Sequence, residues 1–220
     1  MSPEGAVRAR QHDNFELIET FRLEPAGLFL RLGLHMSRLQ ASAAELGFPF
    51  DPAQVREKLN EVDRDSVPLR IKMTLSQTGE IGVTAQRFTA NPPDVRWRLR
   101  IAKAGLRSDN CLLRHKTSQR DIYDRARSEY SVGDADEVLL LNELGELCEG
   151  TITNVFVRFS DGKMLTPALQ CGLLRGVLRE ELLARGEAIE ARITVADLSR
   201  AKQIHIGNSL RGLMGATLEI

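Results

Sequence analysis

The chain has 220 residues, with 42% hydrophobic and 27% charged side chains, enough at about 150 residues per domain for one domain or two small ones with a real core. Its 30 basic and 30 acidic residues cancel, which excludes the electrostatic footprint of a general nucleic-acid or membrane-surface binder. No apolar run approaches the ~18 residues of a membrane span, residues 1–14 lack an apolar signal segment, and three unpaired cysteines (Cys111, Cys148, Cys171) fit a reducing, cytoplasmic setting.

In chain order, residues 15–22 read as a strand and residues 27–32 as its hairpin partner. Residues 35–46 place Met36, Leu39, Ala43 and Leu46 on one helical face, with Gly47 as the stop. Asp51-Pro52 has the form of an N-cap followed by proline at the first helical position, opening a helix that runs to about residue 62. Residues 69–75 and 81–88 alternate around Gln77-Thr78-Gly79 as a hairpin does. After Pro92-Pro93, residues 95–102 resume as a strand carrying Trp97, Leu99 and Ile101. Periodicity lapses between residues 103 and 112. A helix is expected over 117–130, short strands over 137–142, 146–148, 154–159 and 163–165, a long helix over 172–186, a short one over 195–201 and a late strand over 203–207. Strand runs interrupted by grouped helices favour an α+β fold. The expected organisation is a mobile lead-in over 1–14, an N-terminal α+β domain over 15–104 and a C-terminal domain over 112–220.

Familiar chemical motifs are missing: no GxGxxG, Walker A, GxSxG or HExxH occurs. His12, His35, His115 and His205 have no metal-ligand spacing, so each is expected to be an ordinary surface or core histidine and no metal is expected. The charged stretch 120–127 is expected to be a solvated helix face. Three segments stand out instead. In Leu112-Leu113-Arg114-His115-Lys116-Thr117, a lysine, one of only 6 among the 30 basic residues, sits at the junction of an apolar strand end and a helix start. Cys148-Glu149-Gly150-Thr151-Ile152-Thr153-Asn154 puts a carboxylate, hydroxyls and an amide ahead of an apolar strand. Arg175-Gly176-Val177-Leu178 places backbone N–H groups near a helix start, where a phosphate is held by donors and dipole. Taken singly, these are also what a surface lysine, a solvated turn glutamate and a packing glycine look like.

In this order and spacing, the segments resemble the fold-type IV pyridoxal-phosphate enzymes, which include branched-chain and D-amino-acid aminotransferases and 4-amino-4-deoxychorismate lyase. The likeness runs from Phe15 onward. Phe15-Glu16-Leu17-Ile18-Glu19-Thr20, His35-Met36-Ser37-Arg38-Leu39, His115-Lys116-Thr117 with Arg120 and Tyr123, and Asn208-Ser209-Leu210-Arg211-Gly212 are most similar to the lyase branch, in particular to the lyase domain found fused behind aminodeoxychorismate synthase. No synthase portion is found in this chain, so a free-standing version is expected. The resemblance implies two small α/β-type domains of the D-amino-acid aminotransferase-like fold, with pyridoxal 5'-phosphate as cofactor.

It further implies that Lys116 joins the cofactor and moves the substrate proton, and that Glu149 pairs with the pyridine nitrogen. Arg38, Asn154, Gly176, Val177, Leu178, Asn208 and Ser209 would complete the cofactor site, with Arg38 on the phosphate and its loss expected to spare the fold. Thr20 is expected as a candidate proton donor to the departing group and Arg211 as a contact to a substrate carboxylate. A small-molecule substrate, a homodimer and aminodeoxychorismate synthase as pathway neighbour follow from the same likeness, without nucleic acid or membrane. The implied reaction is conversion of 4-amino-4-deoxychorismate to 4-aminobenzoate and pyruvate. The alternatives are a class IV aminotransferase for branched-chain or D-amino acids, and a non-catalytic partner domain that has kept the fold. Two departures are visible: Arg175 stands where a loop proline is expected, and Asp121 where many aminotransferases have a tyrosine, Tyr123 lying two positions later.

Overall fold

A computed structural model describes residues 14–160 and 162–219; the expected lead-in therefore lies, Asn14 apart, outside the described residues. Strand β1 (Leu17–Leu23) alternates sharply, with Leu17, Glu19, Phe21 and Leu23 turned inward. It pairs antiparallel with β2 (Leu69–Leu75), and β2 with β3 (Ile81–Arg87), giving a three-stranded sheet with β1 on one edge. Helices α1 (Leu32–Leu46) and α2 (Pro52–Asn60) complete this unit: Leu39, Ala43, Val55 and Leu59 pack with Phe21, Ile71 and Met73 in one core. The Asp51 side chain accepts the Ala53 N–H at 2.8 Å, the N-cap its sequence announces.

The remaining strands are β4 (Trp97–Ile101), β5 (Glu137–Leu141), β6 (Leu147–Gly150), β7 (Asn154–Arg158), β8 (Met164–Pro167), β9 (Ile189–Ala191), β10 (Gln203–Asn208) and β11 (Gly212–Leu218). They form one mixed sheet in the order β6-β5-β4-β11-β10-β7-β8-β9. Helix α3 (Asp121–Ser128) packs near β5, α4 (Val177–Ala184) lies against β10, and α5 (Val195–Arg200) closes a core with Leu99, Leu139 and Val157. This is the α+β architecture expected.

Several local expectations change. The strand around Trp97 does not stay with the preceding hairpin; it pairs parallel with β5 and β11, so the change of sheet falls between β3 and β4, ahead of the lapse in periodicity. Residues 27–32 make a single bridge, Leu23 to Phe29, because α1 already starts at Leu32. Leu112 and Leu113 belong to a 3-10 turn, Cys111–Arg114, rather than a strand end. The helix expected over 172–186 starts only at Val177, since Gly172 adopts φ +86° and the next residues are claimed by the site described below. β9 and β11 have no counterpart among the expected strands.

Candidate active site

The segment around Lys116, which belongs to neither sheet, runs along the free edge of β1. The Lys116 carbonyl accepts the Ile18 N–H at 2.7 Å, and the Ser118 N–H donates to the Glu16 carbonyl at 2.9 Å, so the residues around Lys116 lie along that edge as a short extra strand. An otherwise exposed strand edge is thereby covered, and the lysine is mounted on it. A cavity of about 820 Å³ opens beside it. Among the expected cofactor residues, Arg38, Lys116, Glu149, Asn154, Gly176, Val177, Asn208 and Ser209 all line this cavity, and so do the expected substrate residues Thr20 and Arg211. Leu178 does not; its side chain packs with Phe156 and Leu182 beneath α4, leaving only its first-turn N–H for such a role.

Lys116 Nζ has no hydrogen-bond or ion-pair partner among the described residues. Burial, reinforced by Arg38 and Arg120, brings its pKa down to about 8. Glu149 is buried and accepts hydrogen bonds from Tyr123 Oη at 2.7 Å, the Leu174 N–H at 3.1 Å and Asn154 Nδ2 at 3.3 Å. Its pKa is nevertheless raised to about 7, because desolvation outweighs these donors and the nearby Lys116. Leu174 also explains the late start of α4: its N–H is bound to Glu149 and its carbonyl accepts from Asn154 Nδ2 at 3.2 Å. Gly176 is required where it stands, since a Cβ there would lie 1.7 Å from Asn154 Oδ1.

At the other end of the cavity, α4 starts without a side-chain cap, so its first-turn N–H groups remain open to an acceptor. The Ser209 hydroxyl is held by His35 Nε2 at 2.7 Å, and His35 Nδ1 meets Glu19 Oε2 at 2.5 Å. Arg38 grips both Glu19 oxygens, at 2.8 and 2.5 Å, and donates to the Arg175 carbonyl at 3.1 Å. Glu19 therefore stays ionised below the usual carboxylate range despite burial, chiefly through Arg38. The His35 pKa is lowered, burial outweighing Glu19.

Sequence reasoning missed four members of this arrangement. Glu19 carried a signal: an acid on the inward face of an apolar strand needs a partner inside. His35, expected to be ordinary, links β1 to the loop after β10. Arg120, expected on a solvated face, donates to the Thr151 carbonyl at 2.5 Å and stacks 4.9 Å from the centre of the Tyr123 ring. Tyr123, two positions past the aminotransferase tyrosine and so without an expected cofactor contact, donates to Glu149 from α3, which begins only after the non-helical residues 117–120.

A carboxylate, a partnerless amine, and uncapped helix donors beside a hydroxyl occur at one cavity. Similarity to known proteins bears on the same residues, since the model of the family "Amino-transferase class IV" matches residues 16–218. The chain belongs to the class IV aminotransferase family. A provisionally named aminodeoxychorismate lyase of Schizosaccharomyces pombe is 31% identical over 205 residues, covering 88% of this chain and 85% of the relative. The crystal structure of a provisionally named amino-acid aminotransferase from Mesorhizobium loti is 52% identical, with a TM-score of 0.91, covering 94% of this chain and 100% of that one. The 4-amino-4-deoxychorismate lyase of Pseudomonas aeruginosa, 23% identical, shares the fold with a TM-score of 0.77 over 92% of this chain and 82% of its own. Members of this fold-type IV family are pyridoxal-phosphate-dependent lyases and aminotransferases, and this protein is an enzyme of that kind. The donor set fits the cofactor: uncapped α4, Ser209 and Arg38 suit the phosphate, Glu149 suits the ring nitrogen, and Lys116 is a free amine for the aldehyde.

Proposed function

We propose that this enzyme converts 4-amino-4-deoxychorismate to 4-aminobenzoate and pyruvate, acting in the cytoplasm as a homodimer with aminodeoxychorismate synthase as its pathway neighbour. Lys116, a buried amine of pKa about 8 with no partner among the described residues, is fit to take and return one proton in either reaction of the family. The observation that carries the lyase reading is the pair of lyase-like segments, residues 15–20 and 208–212, at the two ends of the chain. The name of the S. pombe relative supports the same reading.

Pyridoxal phosphate, when bound, supplies the electron sink for charge developing next to the substrate nitrogen. Glu149, its carboxylate fixed by Tyr123, Leu174 and Asn154, would hold the proton on the pyridine nitrogen. Arg38, Ser209 and the first turn of α4 would anchor the phosphate, and Asn208 lines the same cavity. Lys116 takes the proton from the ring carbon bearing nitrogen; the enolpyruvyl oxygen departs with its electron pair and the ring becomes aromatic. Lys116, or the Thr20 hydroxyl, then protonates the methylene carbon of the departing group, which becomes pyruvate. Elimination needs no second substrate to restore the enzyme.

The 52% identical M. loti structure, named as an aminotransferase, favours the second reading, transfer of amino groups between branched-chain or D-amino acids and 2-oxoglutarate. Product analysis separates the two. The expected outcome is 4-aminobenzoate and pyruvate in equal amounts without a keto acid, abolished in Lys116→Ala, where loss of the base alone is worth ~10²–10⁴-fold. Amino transfer from alanine, leucine or their D-isomers, with no 4-aminobenzoate, would overturn the lyase assignment.

A further inference from the structure

Of the arginines that line the cavity, Arg38 is neutralised by Glu19, while Arg120 and Arg125 have no carboxylate partner among the described residues but donate to the Thr151 and Asp121 carbonyls. The side chains of Arg70 and Arg211 have neither kind of partner among the described residues. Arg211 is held differently. Its guanidinium carbon lies 5.7 Å from the centre of the Trp97 ring and 5.8 Å from that of Phe88, and its Nε is buried with no partner among the described residues. Cation–π contact with two rings holds the guanidinium in the cleft, yet leaves its N–H donors without an acceptor among the described residues.

Arg70 lines the same cavity from the outer face of β2, in register with Arg22 and diagonal to Thr20. Neither Arg70 nor Arg211 has a carboxylate within ion-pair distance among the described residues. Burial and Arg70 together lower the pKa of Arg211. Glu137, the acid whose field reaches Arg211, already accepts from Thr151, Ile152 and Thr153. Two like charges in one cleft, one of them stacked and partly desolvated, are unfavourable until an anion sits between them.

We propose that Arg211 and Arg70 form a carboxylate subsite, which selects amines bearing a carboxylate remote from the reacting carbon over those with an apolar end. This rests on the cleft being the active site and deepens the lyase reading, because the proposed substrate is such a dicarboxylate whereas a branched-chain amino acid is not.

The test uses holoenzyme and probes that cannot turn over. 3-(Carboxymethoxy)benzoate, a dicarboxylate without an amino group, is titrated against 3-methoxybenzoate, its monocarboxylate counterpart. Wild-type protein is expected to favour the dicarboxylate by at least about tenfold, the usual consequence of one charged hydrogen-bonded contact. Arg211→Gln and Arg70→Gln should each reduce that preference, and Arg211→Lys, which keeps the charge, should retain more of it than Arg211→Gln. Arg70→Gln on an exposed strand face carries the test should Arg211→Gln fail to fold. Equal binding of the two probes by wild-type protein, or a preference surviving in both glutamine variants, overturns the subsite. The measurement needs no turnover, so an absence of 4-aminobenzoate in the product assay leaves it intact, and equal binding of the two probes by wild-type protein overturns the subsite while the wild-type product assay still decides the lyase reading.

Discussion

Glu149 and Glu19 are both buried carboxylates, and their surroundings push them in opposite directions. Glu149, raised to about 7 against an ordinary 4.5, binds its proton more tightly folded than unfolded. Without cofactor its burial therefore costs stability progressively as pH rises from about 4.5 to 7, on the order of 3 kcal/mol in all. In cofactor-free protein, Glu149→Gln should flatten the urea-denaturation stability profile across that window; an unchanged slope would show that Glu149 carries no such burden. Glu19 has a lowered pKa, so its contribution is present above the usual carboxylate value and lost as pH falls through the lower folded one. Arg38 is the first of the influences that lower that pKa, ahead of His35, which argues against the expectation that its loss spares the fold. Arg38→Ala strands a buried carboxylate, and breaking such a pair typically costs about 3–5 kcal/mol. We expect a loss of that order by chemical denaturation, partly restored by adding Glu19→Gln, together with weaker cofactor binding.

At the scale of elements, the start of α4 is set by hydrogen bonds to Glu149 and Asn154 rather than by helix propensity. Leu174 gives its N–H to Glu149 and its carbonyl to Asn154, so helical hydrogen bonding begins only past Gly176. Gly176→Ala would drive a methyl group into Asn154 Oδ1. The displaced amide loses its hold on Glu149 and Leu174, and overpacking of this kind costs ~1–3 kcal/mol. Equilibrium titration should show weaker binding of pyridoxal phosphate, and Asn154→Ala added to Gly176→Ala should relieve the steric part. Tightening by Gly176→Ala itself would contradict this geometry. The start of α1 is arranged toward the same place: Arg31, at φ 56°, is the only non-glycine with positive φ among the described residues. That backbone costs roughly 1–2 kcal/mol. It aims the Arg31 side chain at Glu181 on α4, 2.5 Å away, and at the Ser209 carbonyl, 3.3 Å away.

Across the whole molecule, the site is also the seam. β1 and the Lys116 segment share backbone hydrogen bonds, His35 reaches Ser209, Arg31 reaches Glu181, and Arg38 reaches the Arg175 carbonyl, each crossing from the smaller sheet's unit to the larger. A ligand bound at that seam stabilises both units at once, by about 2.7 kcal/mol at a hundredfold excess over Kd. Calorimetry should therefore show one unfolding transition that pyridoxal phosphate moves upward intact. Two transitions, only one of them shifted, would mean that the units unfold independently.

Local chemistry determined what sequence alone could determine here. Asp51-Pro52 caps α2, strict alternation around Gly79 makes the β2–β3 hairpin, and the order of Lys116, Glu149 and Gly176 marks the cavity wall, because each signal depends on neighbours a few residues apart. Tertiary structure decided the rest. Trp97 reads like the strand before it, yet its strand joins β5 and β11, since hydrogen-bonding strands are chosen by packing and not by proximity along the chain. Tyr123 reaches Glu149 from a helix that begins only at Asp121, residues 117–120 being non-helical, and His35 meets Ser209 across 174 positions of sequence. Arg70 and Arg211 converge on one cleft from different sheets, one on β2 and the other beside β11. No periodicity records such meetings, because they are fixed by how two sheets dock, and docking is a sum over contacts that are remote in sequence.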